Sequence, residues 1–276
     1  MENFDYIVVG AGSSGSVIAN RLSENNKIKI CVIEAGGSNQ HPYVKMPAGF
    51  IKTINDKRFN WCFKTEESDY VNNREILFPR GKGYGGSSSI NGHLYVRGQP
   101  DDYNQWAQLG NLGWSYDDVL PYFKKSESFQ GENSSEYHGF DGPLSVTRAK
   151  RTDDLLLDKF IEAGQQAGHP FTEDFNGKYQ EGVSRYEHTM LGASRCSASK
   201  AYLHPALKRK NLETQLNVTV DKVIMDGKKA IGIEFQKKGK NFTAFANKEI
   251  ILCLSLIHIS EPTRLLTSGK ARGRFK

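Results

Sequence analysis

The stretch FDYIVVGAGSSGSVIANRLSENNKIKICVIEAGG, Phe4 to Gly37, decides the fold. Tyr6 to Val9 is a short apolar run bounded by glycine, the pattern of a buried parallel strand. From Ser13 to Ser23 the apolar residues Val17, Ile18 and Leu22 fall at helical spacing. Between them Gly10, Gly12 and Gly15 occupy the GxGxxG positions. There they permit a tight turn, the approach of a pyrophosphate to bare main chain, and helix-on-strand packing, with the helix N-terminus facing the phosphates. A second strand, KIKICVIE, ends at Glu34, 19 residues after Gly15, where a carboxylate can accept hydrogen bonds from an adenosine ribose. That carboxylate disfavours a 2′-phosphorylated dinucleotide and leaves NAD or FAD. The expected class is α/β, a Rossmann-like βαβ unit within a mixed sheet.

A second glycine-rich stretch, GKGYGGSSSINGHLYVRG, runs from Gly81 to Gly98 and returns at once to a strand-like apolar pattern. Glycine-serine linkers do not usually continue in that way. Gly85 and Gly86, followed by Ser87, Ser88 and Ser89, offer amide and hydroxyl donors to another part of a long ligand, a second cradle expected to lie far from the first. FAD needs two such cradles, so the pair favours FAD over NAD.

At these residues the chain resembles the glucose-methanol-choline (GMC) oxidoreductase family, whose first signature is similar to GKGYGGSSSINGHLYVRGQPDDYN at nearly every defined position. Tyr84 departs from it, since the family usually has an aliphatic residue there. The segments VVGAGSSG, VIEAGG, MPAGF, NWCFKTE, SRCSASKAYLHPALKRKNLE, NVTVDKVIMDGKKAIGIEF and NKEIILC extend the resemblance from Asp5 to Cys253, most nearly to choline-dehydrogenase-like members. The resemblance implies an FAD-dependent oxidoreductase that transfers hydride from the CH–OH group of a small alcohol, choline-like or another primary alcohol, to the flavin. It implies that Gly10, Gly12 and Gly15 meet the pyrophosphate and Glu34 the adenosine ribose. Gly85, Gly86, Ser87, Ser88 and Asn91 would lie along the flavin, with Val220 near the adenine. Some members carry histidine at the Asn91 position and attach the flavin covalently; asparagine cannot, which implies non-covalent FAD. His93, two residues on, is assigned a packing or supporting role.

The family's catalytic base is a histidine of its C-terminal half, and the chain is about half the family's usual length. None of His41, His93, His138, His169, His188, His204 or His258 matches the motif that carries it, so no catalytic residue is assigned. After Cys253 the sequence LSLIHISEPTR, Leu254 to Arg264, coincides with one reading frame of a transposon-end adapter. Residues 254–276 are accordingly expected to be a non-native tail, and the chain an inactive, poorly stable N-terminal fragment with unpaired strands. The expected domains are a discontinuous FAD-binding domain, 1–110 with 205–253, and part of an α+β substrate-binding or cap region, 111–204. In the latter, Asp117 marks a helix start, Gly131 to Gly142 reads as a loop, Asp153 and Asp154 open a further helix, and Gly168 ends it.

Bulk properties agree with an enzyme of this kind. The net charge of +6 comes from scattered lysines and forms no stripe that would mark a nucleic-acid partner. Cys31, Cys62, Cys196 and Cys253 form no CxxC pair, which argues against a metal site or a disulfide framework and suits the cytoplasm. No run of residues reaches membrane-span length. The residues leave open the particular alcohol, the electron acceptor, and the alternatives of an NAD-dependent enzyme or a non-catalytic flavin-binding module.

Overall fold

The computed structural model describes residues 2–131, 136–148 and 155–255. The expected helix start at Asp153 and Asp154, part of the Gly131–Gly142 loop, His258 and all of the expected tail beyond Ser255 lie outside the described residues. The chain divides into two compact units, one from residues up to Gly92 together with residues from Ser197, the other His93–Cys196.

The first unit is built on a six-stranded sheet. Strand β1 (Glu2–Val9) leads through the glycine turn into helix α1 (Ser13–Leu22) and strand β2 (Ile30–Glu34). Four later strands, β3 (Leu212–Leu216), β4 (Thr219–Asp226), β5 (Lys229–Lys237) and β6 (Lys240–Leu252), complete it in the order β3-β2-β1-β6-β5-β4. The first four in that order run parallel, and β6, β5 and β4 form an antiparallel meander.

Every residue of β2 is buried, which is why Ile30 to Ile33 reads as an unbroken apolar run rather than an alternating one. Alternate side chains of β1 serve opposite faces. Phe4, Ile7 and Val9 join Cys31, Ile33, Ile233 and Phe235 on one side, and Val8 joins Ala19, Ile30, Val32 and Leu203 on the other. The register pairs Val9 with Ile33 and with Leu252, and Glu34 with Leu216. The carboxyl ends of four parallel strands therefore share one edge, where an open α/β sheet binds ligands.

The second unit carries a four-stranded sheet of Leu94–Tyr95, Glu187–His188, Leu144–Arg148 and Glu127–Phe129. Three helices accompany it, Pro100–Gln108, Tyr116–Ser126 and Leu155–Gln166. Ser115 and Asp118 close a capping box at the second of these, as the Asp117 start signal anticipates. Gly168, with φ +94°, sits just beyond the third, and the chain closes back through His169 N–H to the Gly164 carbonyl at 3.1 Å.

The expected domain boundaries fall at residues 110 and 204, while the compact units divide after Gly92 and after Cys196. Tyr103 packs edge-on to Phe123 at 5.6 Å and Trp106 lies 5.8 Å from Trp114, so the helix Pro100–Gln108 belongs with its successor. Leu203 and Ala206 enter the core around α1, and Asn20 Nδ2 donates to the Tyr202 carbonyl at 2.7 Å, so residues from Ser197 belong to the first unit. Among the described residues no helix is long and apolar enough to cross a membrane.

Candidate functional site

A cavity of about 820 Å³ opens at the strand-end edge of the first unit. Its floor is the glycine turn. Gly10 has φ +100°, and a Cβ there would come within 2.6 Å of the Cys253 carbonyl oxygen. Gly15 is buried beneath, where a Cβ would overlap the Gly10 carbonyl oxygen, so it sets the closeness of α1 to the turn. Helix α1 starts from Gly12 with no side-chain cap and no acidic residue in its first turn, and Gly12, Ser13 and Ser14 line the cavity. Its leading amides are thus left for an anion, with the helix dipole favouring one.

The second glycine segment does not lie far from the first, and this corrects the expectation of separated cradles. Gly85 N–H donates to the Ala11 carbonyl at 2.8 Å, and a Cβ on Gly86 would stand 2.9 Å from Gly12 Cα. Gly83, Gly85 and Gly86 all have positive φ, so the loop turns back against the first segment on conformations that side chains rarely adopt. The two segments form one wall. Gly86 and Ser87 line the cavity beside Gly12, while Val220 lines it from β4.

Glu34 is 8% exposed and also lines the cavity, but its oxygens are engaged. Oε2 accepts from Ala11 N–H, and Oε1 accepts from both Gly36 N–H and Gly83 N–H, each at 2.8 Å. Gly15, Gly85, Ser88 and Asn91 stand outside the cavity lining. Ser88 Oγ donates to the Gly85 carbonyl at 2.6 Å and accepts from Ala198 N–H at 3.0 Å, so it braces the loop. Asn91 is exposed, its N–H donating to the Ser87 carbonyl at 2.9 Å.

The strand-like run after Asn91 yields only the two-residue strand Leu94–Tyr95. His93, at φ +52°, lies 5.1 Å from the His188 ring. Burial, with Arg195 and His188 adding to it, pushes its pKa down to about 4.

Tyr84, the departure from the family pattern, is buried in the core beside α1, and its hydroxyl donates to Thr214 Oγ1 on β3 at 2.6 Å. Trp61, Arg80 and Cys253 also line the cavity; Trp61 and Cys253 lie in the family-like segments NWCFKTE and NKEIILC, but no residue pattern assigns any of the three to the site. Arg80 stands directly before the glycine segment. Burial pushes the Cys253 thiol pKa up, which disfavours its thiolate.

The GMC oxidoreductase profile matches residues 4–273, and the chain belongs to that family. It is 45% identical over 270 residues to the oxygen-dependent choline dehydrogenase of Rhizobium johnstonii, covering 98% of this chain and 48% of that protein. It is 42% identical over 275 residues to the mitochondrial choline dehydrogenase of Homo sapiens, covering 97% and 46%. The chain therefore spans about half the length of these curated relatives. Pyridoxine 4-oxidase from Mesorbium loti superposes with a TM-score of 0.86 at 30% identity, over 91% of this chain and 49% of that one. An FAD-dependent oxidoreductase from Chaetomium thermophilum gives 0.83 at 27% identity, over 91% and 45%.

FAD, the coenzyme this family implies, fits the residues present. Its diphosphate suits the uncapped α1 terminus, and the Cβ-free contact of Gly12 and Gly86 keeps the wall flat where a long ligand must lie against main chain. A cavity of about 820 Å³ is in the range of large cofactor sites.

Proposed function

We propose that this chain forms the FAD-binding half of an oxidoreductase that takes hydride from the CH–OH group of a small alcohol, choline or another primary alcohol. The observation that carries this is the continuous wall made by the α1 terminus and Gly86, in a chain 45% identical to a choline dehydrogenase. Gly10, Gly12, Gly86 and Ser87 would meet the diphosphate and its neighbours, and Val220 the adenine side. Gly15, Gly85 and Ser88 would shape the wall from behind. Glu34 would lie beside the ribose, and Asn91 toward the flavin ring. Because asparagine has no nucleophilic nitrogen at this position, the coenzyme is held without a covalent bond.

When bound, the flavin supplies the hydride acceptor. The chain's own part is to neutralise the diphosphate with helix and loop amides, to fix the coenzyme's orientation, and to keep water from the wall through Trp61 and the apolar β4 residues. The four cysteines form no disulfide, which supports a reducing compartment, and we assign the cytoplasm.

The test takes two steps. The purified chain, mixed with FAD, is expected to quench flavin fluorescence and turn yellow after gel filtration; a colourless protein, or one retaining NAD alone, overturns the coenzyme assignment. A chimera joining residues 1–253 to the R. johnstonii relative from the position aligned with residue 254 to its end is then expected to show anaerobic bleaching of the flavin band by choline or another primary alcohol. A yellow chimera that no alcohol bleaches overturns the activity.

A further inference from the structure

The carboxylate of Glu34 is a poor neighbour for a diphosphate. It is a buried anion on the wall of a cavity that, on the reading proposed above, receives two more negative charges. Coulomb repulsion alone would make it a liability.

Its hydrogen bonds explain its presence. A carboxylate offers about four lone-pair positions, and three are filled by main-chain donors. Ala11 belongs to the first glycine segment, Gly83 to the second, and Gly36 follows β2. A Cβ on Gly36 would overlap the Gly83 amide, so the loop after β2 and the second segment are pressed together at this point. Tyr84 N–H donating to Gly37 O at 3.0 Å and Asn39 Nδ2 donating to Tyr84 O at 2.9 Å continue the seam.

We infer that Glu34 is a positioning residue whose carboxylate fastens both glycine segments into one preformed anion-binding wall, acting on the diphosphate through the main chain. Both lone pairs of Oε1 are used, and Oε2 has one to spare, so at most one ribose hydroxyl is received directly. Glutamine cannot substitute. Its single amide oxygen accepts two hydrogen bonds, and its NH₂ group would face the third amide donor.

Inorganic pyrophosphate separates this role from ribose recognition, because it has no ribose. Titrated into the 276-residue chain by calorimetry, or in competition with FAD, it is expected to bind Glu34→Gln about tenfold more weakly than wild type, even though the substitution removes a negative charge. Pyrophosphate that binds the variant equally well or more tightly, while ADP binds it less well, would show that Glu34 acts by touching ribose and would overturn the inference.

Amide hydrogen exchange in the coenzyme-free wild type decides the matter even where the variant does not fold. Ala11, Gly36 and Gly83 amides are expected to exchange at least about 100-fold more slowly than open loop amides. Free exchange at Gly83 would overturn the clasp. Failure of wild type to bind FAD or ADP, with Gly83 protected, would remove the coenzyme reading and leave the clasp standing.

Discussion

The two units bury polar groups in opposite ways. The first unit meets its cavity with main-chain amides, arranged by glycines and one carboxylate. The second buries charged side chains against each other. Glu127, with its side chain fully buried, receives Arg97 Nη2 at 2.8 Å and His138 Nδ1 at 3.1 Å, and His138 Nε2 reaches Asp174 at 2.6 Å. Arg148 joins Glu187 at 2.8 Å and approaches Asp174 at 3.8 Å. His138, Asp174 and Glu187 are close enough to suggest a metal site, but the Arg148 guanidinium already pairs with Glu187 and lies beside Asp174. A surface of bare amides awaits an anion from outside, whereas a self-neutralised cluster is complete and holds a fold together.

The largest effect is expected from breaking the second arrangement. Glu127 accepts from Arg97, His138 and Gly139 N–H, so Glu127→Ala leaves the buried Arg97 guanidinium without its carboxylate and His138 with Asp174 alone. A loss of about 3–5 kcal/mol is expected in urea unfolding. A loss under about 1 kcal/mol would mean that water enters and that the cluster is no more than surface-like pairing.

The corresponding break in the first arrangement is Gly15→Ala. The added Cβ overlaps the Gly10 carbonyl oxygen, so α1 must move off the turn. Overpacking of this kind costs about 1–3 kcal/mol, and FAD affinity is expected to fall by roughly ten- to a hundredfold. Gly37→Ala is the control, since a Cβ there meets nothing within 4 Å and its φ is not in the left-handed region. Equal flavin titrations for the two variants would separate the glycine spacing from the binding surface.

How much of this was legible follows from the same contrast. Main-chain sites demand glycine at fixed spacings, so Gly10, Gly12, Gly15 and the Gly85–Gly86 pair announce themselves, as does Glu34 at the end of an apolar run. What the spacing does not carry is distance in space. Gly12 and Gly86 lie 74 positions apart in sequence, and nothing local in either segment says that they touch. The charge cluster is less legible still. Arg97, Glu127, His138, Arg148, Asp174 and Glu187 share no spacing, and each alone reads as a solvated surface group. The strands that gather them, Glu127–Phe129 and Leu144–Arg148, are short and flank a polar, glycine-rich segment that reads as loop.

The cluster also predicts a pH dependence with a definite sign. Burial disfavours the His138 imidazolium, yet hydrogen bonds to Asp174 and Glu127, with their negative charges, outweigh it and push the pKa up to about 9. The folded value lies above the ordinary 6.5, so the stabilisation is fully present below about pH 6.5 and is lost as pH rises through about 9. The faces around the ring hold Glu127, Asp174, Arg97, Arg148 and Glu187. Melting temperature followed from pH 6 to 10 should fall on the alkaline side in wild type and run flatter in His138→Gln. Parallel curves would show that the ring is neutral in the folded chain.

The smallest effect sharpens the comparison from inside the first unit, where Tyr84 makes a neutral side-chain hydrogen bond. Burial pushes its hydroxyl pKa up, and the group donates to Thr214 Oγ1 at 2.6 Å. The ring fills the core beside Val8, Ala19 and Leu203, the volume an aliphatic residue would otherwise supply, so Tyr84→Phe should keep the packing and remove only the bond. Thr214 sits on the edge strand and is only half-buried, which lets water replace the lost donor. A cost of about 0.5–1.5 kcal/mol is therefore expected, near the lower end, and a double-mutant cycle with Thr214→Val should return most of it as coupling. A coupling as large as the Glu127 loss would mean that one neutral hydroxyl bond weighs as much as a buried ion cluster. The contrast between a wall of amides and a knot of charges would then have to be redrawn around what water can reach.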